Sequence, residues 1–297
     1  MLQQFTKWYV KYVIIALACV LLLVVPLIKG PWVGTEPFLN FRLAEDVGFE
    51  DSLSFGGRFA AYEWGTPLAF SAAPSYLMTI LPLLLGVISV FLLAGIIKKF
   101  SDDEKLQNVS LLMYILSPAF IYTFSFANNL FMPLFLGILI FYLFTHEKVY
   151  WLSLPLVMIL PLFSVPLCLG ILLILSCYAL WKKEKKLFLL MLILLCLIVG
   201  GLYYGYIMLN TGVPEKLSFE EAEEFSLFSR LFYDLGAAYG LGVFIALIGF
   251  FGIMRVWDKK YSNLFLFFSV ALILGLAFLL QENLLLLNLL LVPFAAY

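Results

Sequence analysis

Apolar residues occur along the chain in long runs separated by short polar stretches. A membrane-spanning helix needs about 20 predominantly apolar residues, and ten runs reach or approach that length. They cover residues 12–29, 75–97, 106–126, 130–146, 149–164, 166–181, 187–209, 236–254, 261–280 and 284–297. The fifth and sixth runs are short and nearly continuous, so they form either a tight hairpin or one bent element. The pattern predicts an all-α, polytopic transmembrane bundle of about ten spans in a single domain, residues 1–297.

Composition excludes two other classes of protein. Hydrophobic residues make up 64% of the 297 residues and charged residues 12%, whereas soluble domains are about 45–50% apolar and 25% charged. The formal net charge of -1 leaves no basic surface for binding nucleic acid. The four cysteines all lie inside apolar runs without CxxC spacing, so we expect buried small side chains rather than metal ligands or disulfides.

The distribution of charge predicts an orientation. With the N-terminus in the cytoplasm and residues 12–29 as a signal anchor, most of the 18 basic residues fall inside and most of the 19 acidic residues outside. This is the bias that the positive-inside rule describes. Two long loops, 30–74 and 210–235, then lie on the external face, and each carries six acidic residues against two basic ones. Because the polar material is concentrated there, we expect the functional site on the external face.

Both external loops are predicted to contain an amphipathic helix. Thr35 is a suitable N-cap and Glu36 would occupy the first turn, followed by apolar residues at i+4 spacing from Leu39. In the second loop, a capping-box pattern at 218–221 begins a helix with phenylalanines on one face and glutamates on the other. Such acids also occur simply as a solvated face or as favourable partners of the helix dipole, and both interpretations remain open.

The first loop carries a recognisable motif. The sequence EPFLNFR at 36–42 lies just outside the first span, and it resembles the DPWFNYR motif in the catalytic subunit of oligosaccharyltransferase. More broadly, the chain resembles the GT-C superfamily of polyprenyl-phosphate-dependent glycosyltransferases. The long first external loop, the polar link 126–130 between the third and fourth spans, the acidic loop 210–235 and the polar segment 281–283 follow the order of that family's landmarks.

The resemblance implies a GT-C-like fold and an inverting sugar transfer on the external face. The donor would be a sugar or oligosaccharide on a polyprenyl phosphate or pyrophosphate, and the acceptor a protein or glycan. In the family the first-loop acid is catalytic and helps to hold a divalent metal, Mg²⁺ or Mn²⁺. That role would fall on Glu36, with Asn128 as a second metal ligand. Substrate contacts are predicted at Arg42, Arg58, Glu221 and Glu224, although the register within Glu220–Glu224 is open.

Three departures from the family pattern keep other functions open. Asn128-Asn129-Leu130 stands where the family has an acidic Asp-x-Glu pair, and Glu282-Asn283 stands where it has an arginine. The chain ends at Tyr297, before the position of the family's C-terminal soluble domain, which we expect to be absent. Partner subunits could supply the missing acids. The alternatives are a non-catalytic paralogue or scaffold subunit that binds lipid, and a lipid transporter or flippase.

Overall fold

The structure, a computed structural model, describes residues 2–30, 35–45, 63–72, 75–183, 185–211, 240–259 and 264–296. Within these ranges the regular secondary structure is helical and there is no β-strand. A helix satisfies its backbone hydrogen bonds internally, which an apolar segment in a bilayer requires. The all-α class predicted from the sequence is therefore confirmed for this part of the chain. The helix predicted to begin at the capping-box pattern 218–221 lies outside the described residues.

The described ranges contain thirteen α-helices. They are α1 (Leu2–Lys29), α2 (Glu36–Glu45), α3 (Gly65–Ser71), α4 (Ser75–Phe100), α5 (Glu104–Ile115), α6 (Pro118–Ser125), α7 (Phe131–Thr145), α8 (Ser153–Phe163), α9 (Val165–Lys182), α10 (Lys186–Thr211), α11 (Val243–Val256), α12 (Leu264–Leu279) and α13 (Leu284–Ala295). Single 3₁₀ turns occur at Tyr150–Leu152, Trp257–Lys259 and Gln281–Asn283. The long apolar helices pack side by side, and their buried faces form one continuous core.

Four helices are long and apolar enough to cross a membrane, and the bent pair α5–α6 is a fifth candidate. The four cover Tyr9–Lys29, Thr79–Phe100, Val165–Lys182 and Lys186–Asn210. Five further apolar helical segments of 10–17 residues contribute to the bundle. The structure thus supports a membrane-embedded helical protein with four or five candidate spans by length and composition. The predicted number of ten is not confirmed.

The apolar run at 106–126, predicted as one span, is divided into α5 and α6 with a bend of 58°. The break follows from a Ser-Pro pair. Pro118 lacks a backbone N–H and disfavours helical geometry in the residue before it. Ser117 is extended, and its hydroxyl oxygen accepts a hydrogen bond from the Phe120 N–H at 3.0 Å, which caps the new helix.

The ambiguous region 149–181 forms two separate helices, α8 and α9. Ser164 joins them in an extended conformation, with φ -166° and ψ 118°. Its hydroxyl oxygen accepts a hydrogen bond from the Leu167 N–H at 3.2 Å, so it caps α9. Helix α8 packs mainly against α10 and α7, whereas α9 packs mainly against α12 and α7.

Small residues allow two close approaches in the bundle. At Gly252 the backbone of α11 lies against the Phe294 carbonyl of α13, and at Gly170 helix α9 lies against the Asn283 side chain. Neither position leaves room for a Cβ atom. Three of the cysteines, Cys168, Cys177 and Cys196, are buried among apolar side chains, as the sequence indicated, and Cys19 is half-buried.

Candidate functional site

Helix α2 begins at Glu36 and carries the EPFLNFR motif, as predicted, and its buried face includes a polar residue. The side chains of Pro37, Asn40, Leu43 and Ala44 are buried, whereas Leu39 is only half-buried. Asn40 is completely inaccessible to solvent. A buried amide is costly unless it is hydrogen-bonded. The helix is therefore fixed to the rest of the bundle partly through a polar side chain.

The link between α6 and α7 is organised by Asn128, which is also buried. Its Nδ2 donates hydrogen bonds to the carbonyl oxygens of Tyr122 and Thr123, at 3.1 and 3.2 Å. Its Oδ1 accepts from the backbone N–H groups of Leu130 and Phe131, at 2.9 and 3.0 Å. One side chain thus serves the last carbonyls of α6 and the first amides of α7, which have no partner inside their own helices.

Hydrogen bonds of Asn40 and Glu36 join helix α2 to this link. Asn40 Nδ2 donates to Asn129 Oδ1 at 2.7 Å and to the Ala127 carbonyl oxygen at 3.3 Å. The backbone N–H of Asn129 donates to Glu36 Oε2 at 3.1 Å. We call Glu36, Asn40, Asn128 and Asn129 the Glu36 cluster. It joins the first-loop motif to the link between the third and fourth apolar runs across about 90 residues of sequence, and it leaves the Glu36 side chain exposed.

The described members of the Glu36 cluster do not by themselves fit a divalent metal. They provide one carboxylate, and the Oδ1 atoms of Asn128 and Asn129 already accept hydrogen bonds within the chain. Mg²⁺ and Mn²⁺ prefer several oxygen ligands with at least one or two carboxylates. Among the described residues there is no group of three or more His, Cys, Asp or Glu side chains that could hold a metal. To coordinate a metal, the Asn128 oxygen would have to give up the hydrogen bonds that it accepts from Leu130 and Phe131. Its role as a metal ligand stays a prediction.

The remaining predicted site residues are not brought into this cluster by the described part of the structure. Arg42 lies in the last turn of α2 and is half-buried. Arg58, Glu221 and Glu224 lie outside the described residues. Their predicted roles in binding phosphate and acceptor therefore remain predictions.

A second polar group, which the sequence did not predict, lies where α3, α8, α10 and the turn before α13 approach one another. The Trp64 N–H donates to the Tyr203 hydroxyl at 2.9 Å, and the Ser164 hydroxyl donates to Glu282 Oε2. Glu282 lies between the ninth and tenth apolar runs and Trp64 lies in the loop 30–74, and nothing in the sequence indicates that these segments come together.

No protein-family model matches the chain, and no curated protein or solved structure matches it either.

Proposed function

We propose that the protein is a GT-C-like membrane glycosyltransferase. It transfers a sugar from a polyprenyl phosphate or pyrophosphate to a protein or glycan acceptor on the external face. In this proposal the N-terminus is cytoplasmic, and the shorter apolar helices also lie in the membrane, which brings the bundle to about ten spans. The observation that carries the proposal is the hydrogen bond between Asn129 and Glu36, because it joins the two segments that the resemblance assigns to one site.

A single carboxylate, that of Glu36, can act as a general base. Glu36 accepts the proton of the acceptor hydroxyl while the acceptor oxygen forms a bond to the anomeric carbon. The bond from that carbon to the phosphate oxygen breaks on the opposite face, and the polyprenyl phosphate leaves with the electron pair. The configuration at the anomeric carbon is therefore inverted. Arg42 and Arg58 are the candidates for binding the phosphate, since guanidinium groups form strong paired hydrogen bonds with it.

A Mg²⁺ or Mn²⁺ ion, which the resemblance also implies, would neutralise charge on the leaving phosphate. We propose it only in combination with further acids, either Glu221 or Glu224 or those of a partner subunit. General base catalysis by Glu36 requires neither the metal ion nor these further acids.

The test is sugar transfer by the purified full chain, with a panel of polyprenyl-phosphate hexoses as donors and a mixed glycan and peptide acceptor pool. Glu36→Gln keeps the shape of the side chain and its ability to accept the Asn129 hydrogen bond, but it cannot take up a proton. We expect transfer to fall by about 10²- to 10⁴-fold, the usual contribution of a general base. Glu45→Gln is the matched control at the far end of α2, and it should retain wild-type transfer. Equal transfer by wild type and Glu36→Gln would refute the proposed role.

A second candidate is a non-catalytic paralogue that keeps the lipid-binding fold. It is favoured by the engagement of the Asn128 and Asn129 side chains in capping and helix docking, at positions where the family has acids. In that case the protein would bind polyprenyl phosphate, the Glu36→Gln variant would bind it equally well, and no donor in the panel would be consumed.

A further inference from the structure

The opposite end of α7 from the Glu36 cluster borders a polar cavity of about 200 Å³. Helix α7 has 15 residues, so its two ends are about 20 Å apart. The cavity lies where α4, α7 and α9 end and α10 begins. Among the described residues its charged lining consists of Lys99, Lys182, Lys185 and Glu147, and we call it the lysine pocket. Three lysines against one glutamate leave a formal excess of two positive charges.

The lysines are held in position by the surrounding structure. Lys99 Nζ donates to the Thr145 carbonyl oxygen, and Lys185 Nζ donates to the Phe144 carbonyl oxygen at 2.7 Å. Lys182 Nζ lies 4.6 Å from the centre of the Trp181 ring. An ammonium group has three donor hydrogens, so binding one carbonyl does not exhaust the capacity of Lys99. Lys99 and Lys182 are exposed and Lys185 is half-buried. The carbonyl bonds of Lys99 and Lys185 anchor two of the three charges at the cavity before any ligand arrives, which lowers the entropic cost of binding.

An apolar cavity of about 90 Å³ adjoins the lysine pocket. The two cavities share Phe100 in their walls, and the apolar one is lined by side chains such as Ile97, Phe141, Ile174 and Leu290. A water molecule occupies about 30 Å³ in the liquid. The apolar cavity therefore has room for a few carbon atoms, and the polar one has room for a phosphate with a small polar group attached.

We propose that the lysine pocket binds the phosphate group of an anionic phospholipid, with the start of one acyl chain in the adjoining apolar cavity. A positively charged cavity next to an apolar one matches a ligand that joins a phosphate to a hydrocarbon chain, whereas a free phosphate would use only the first cavity. This end of the bundle is the one predicted to be cytoplasmic, and the cytoplasmic leaflet is where anionic lipids are concentrated. The site is independent of the proposed sugar transfer.

Native mass spectrometry of the full chain in a nonionic detergent tests the proposal, with phosphatidylglycerol and phosphatidylcholine of identical acyl chains as probes. The wild type should bind phosphatidylglycerol at least tenfold more tightly than phosphatidylcholine. Lys99→Gln combined with Lys182→Gln should weaken the binding of phosphatidylglycerol by about 30-fold. This is the ratio expected from about 1 kcal/mol for each of two lysines near an anionic lipid. Lys98→Gln combined with Lys183→Gln removes the same charge from neighbouring exposed positions outside the pocket, and it should change binding less than threefold.

Three results would overturn the proposal. Equal affinity of the wild type for the two lipids would exclude a phosphate-selective site, and this comparison needs no variant. An equal loss in both double variants would mean that the lipid responds only to the general charge of this surface. Inorganic phosphate binding as tightly as phosphatidylglycerol would contradict the assignment to a lipid. Phosphatidylglycerol with brominated acyl chains can localise the site, because bromine quenches tryptophan fluorescence nearby. This quenching should be weaker in Trp181→Phe than in the wild type.

Discussion

Replacing Gly252 with alanine would force α11 and α13 apart. A Cβ atom at this position would lie 1.9 Å from the carbonyl oxygen of Phe294 and 2.5 Å from its carbonyl carbon. Real Cβ atoms essentially never come closer than 3.0 Å, so the contact with oxygen must open by at least 1.1 Å, the difference between 3.0 and 1.9 Å. Both atoms belong to the backbone, and no side-chain rotation can relieve the clash. We expect a cost of about 3 kcal/mol, the upper part of the range for overpacked cores.

The matched control is Gly275→Ala on α12, where nothing lies within 4 Å of a new Cβ atom. Alanine favours the helix over glycine by up to about 1 kcal/mol, so this variant should be neutral or more stable. Thermal unfolding can be followed with a thiol-reactive dye, because Cys168, Cys177 and Cys196 are buried in the folded protein. At about 2–4 °C per kcal/mol for a large domain, Gly252→Ala should melt roughly 6–12 °C below wild type. Equal melting of the two variants would refute the close packing of α11 and α13.

Three further predictions use the same purified protein. Asn128→Ala removes the hydrogen bonds that join this side chain to the end of α6 and the start of α7. It should lower the free energy of unfolding by about 1–2 kcal/mol, and an unchanged melting temperature would contradict this. Ser164→Ala removes both the cap of α9 and the hydrogen bond to Glu282, so we expect a loss of about 1–2 kcal/mol in the same assay, and an unchanged melting temperature would contradict it. Chelation of divalent metals with EDTA should leave sugar transfer unchanged if Glu36 acts as a base, whereas activity lost in EDTA and restored by Mn²⁺ would establish a metal site instead.

The local features of the chain could be predicted from the sequence because they depend on near neighbours. Long apolar runs predicted the helical membrane class, and Thr35 followed by Glu36 predicted where α2 begins. The break inside 106–126 was missed, although Ser117-Pro118 carries its signal: proline cannot continue the hydrogen-bonded ladder, and serine caps the next helix. The prediction of one span at 106–126 followed the continuous hydropathy and overlooked this turn signal.

The tertiary features could not be predicted in the same way. The pattern of apolar residues predicted that α2 is amphipathic, but it did not indicate that Asn40 would be buried, with its amide satisfied by Asn129 from a distant segment. Hydrophobic patterns do not encode which polar side chains pair across 90 residues. The lysine pocket is a similar case, because its residues occur in separate polar stretches of the sequence and converge only when α4, α7 and α9 end at the same level.

Photolabelling can test whether the Glu36 end of the bundle binds a lipid-linked sugar donor, as we propose. A polyprenyl phosphate with a diazirine next to the phosphate would be irradiated with the full chain, and the labelled peptides identified by mass spectrometry. We expect label on α2 and on residues 126–130, removed by excess unlabelled polyprenyl phosphate but not by phosphatidylglycerol. Label confined to the lysine pocket, or label that polyprenyl phosphate does not displace, would contradict the claim.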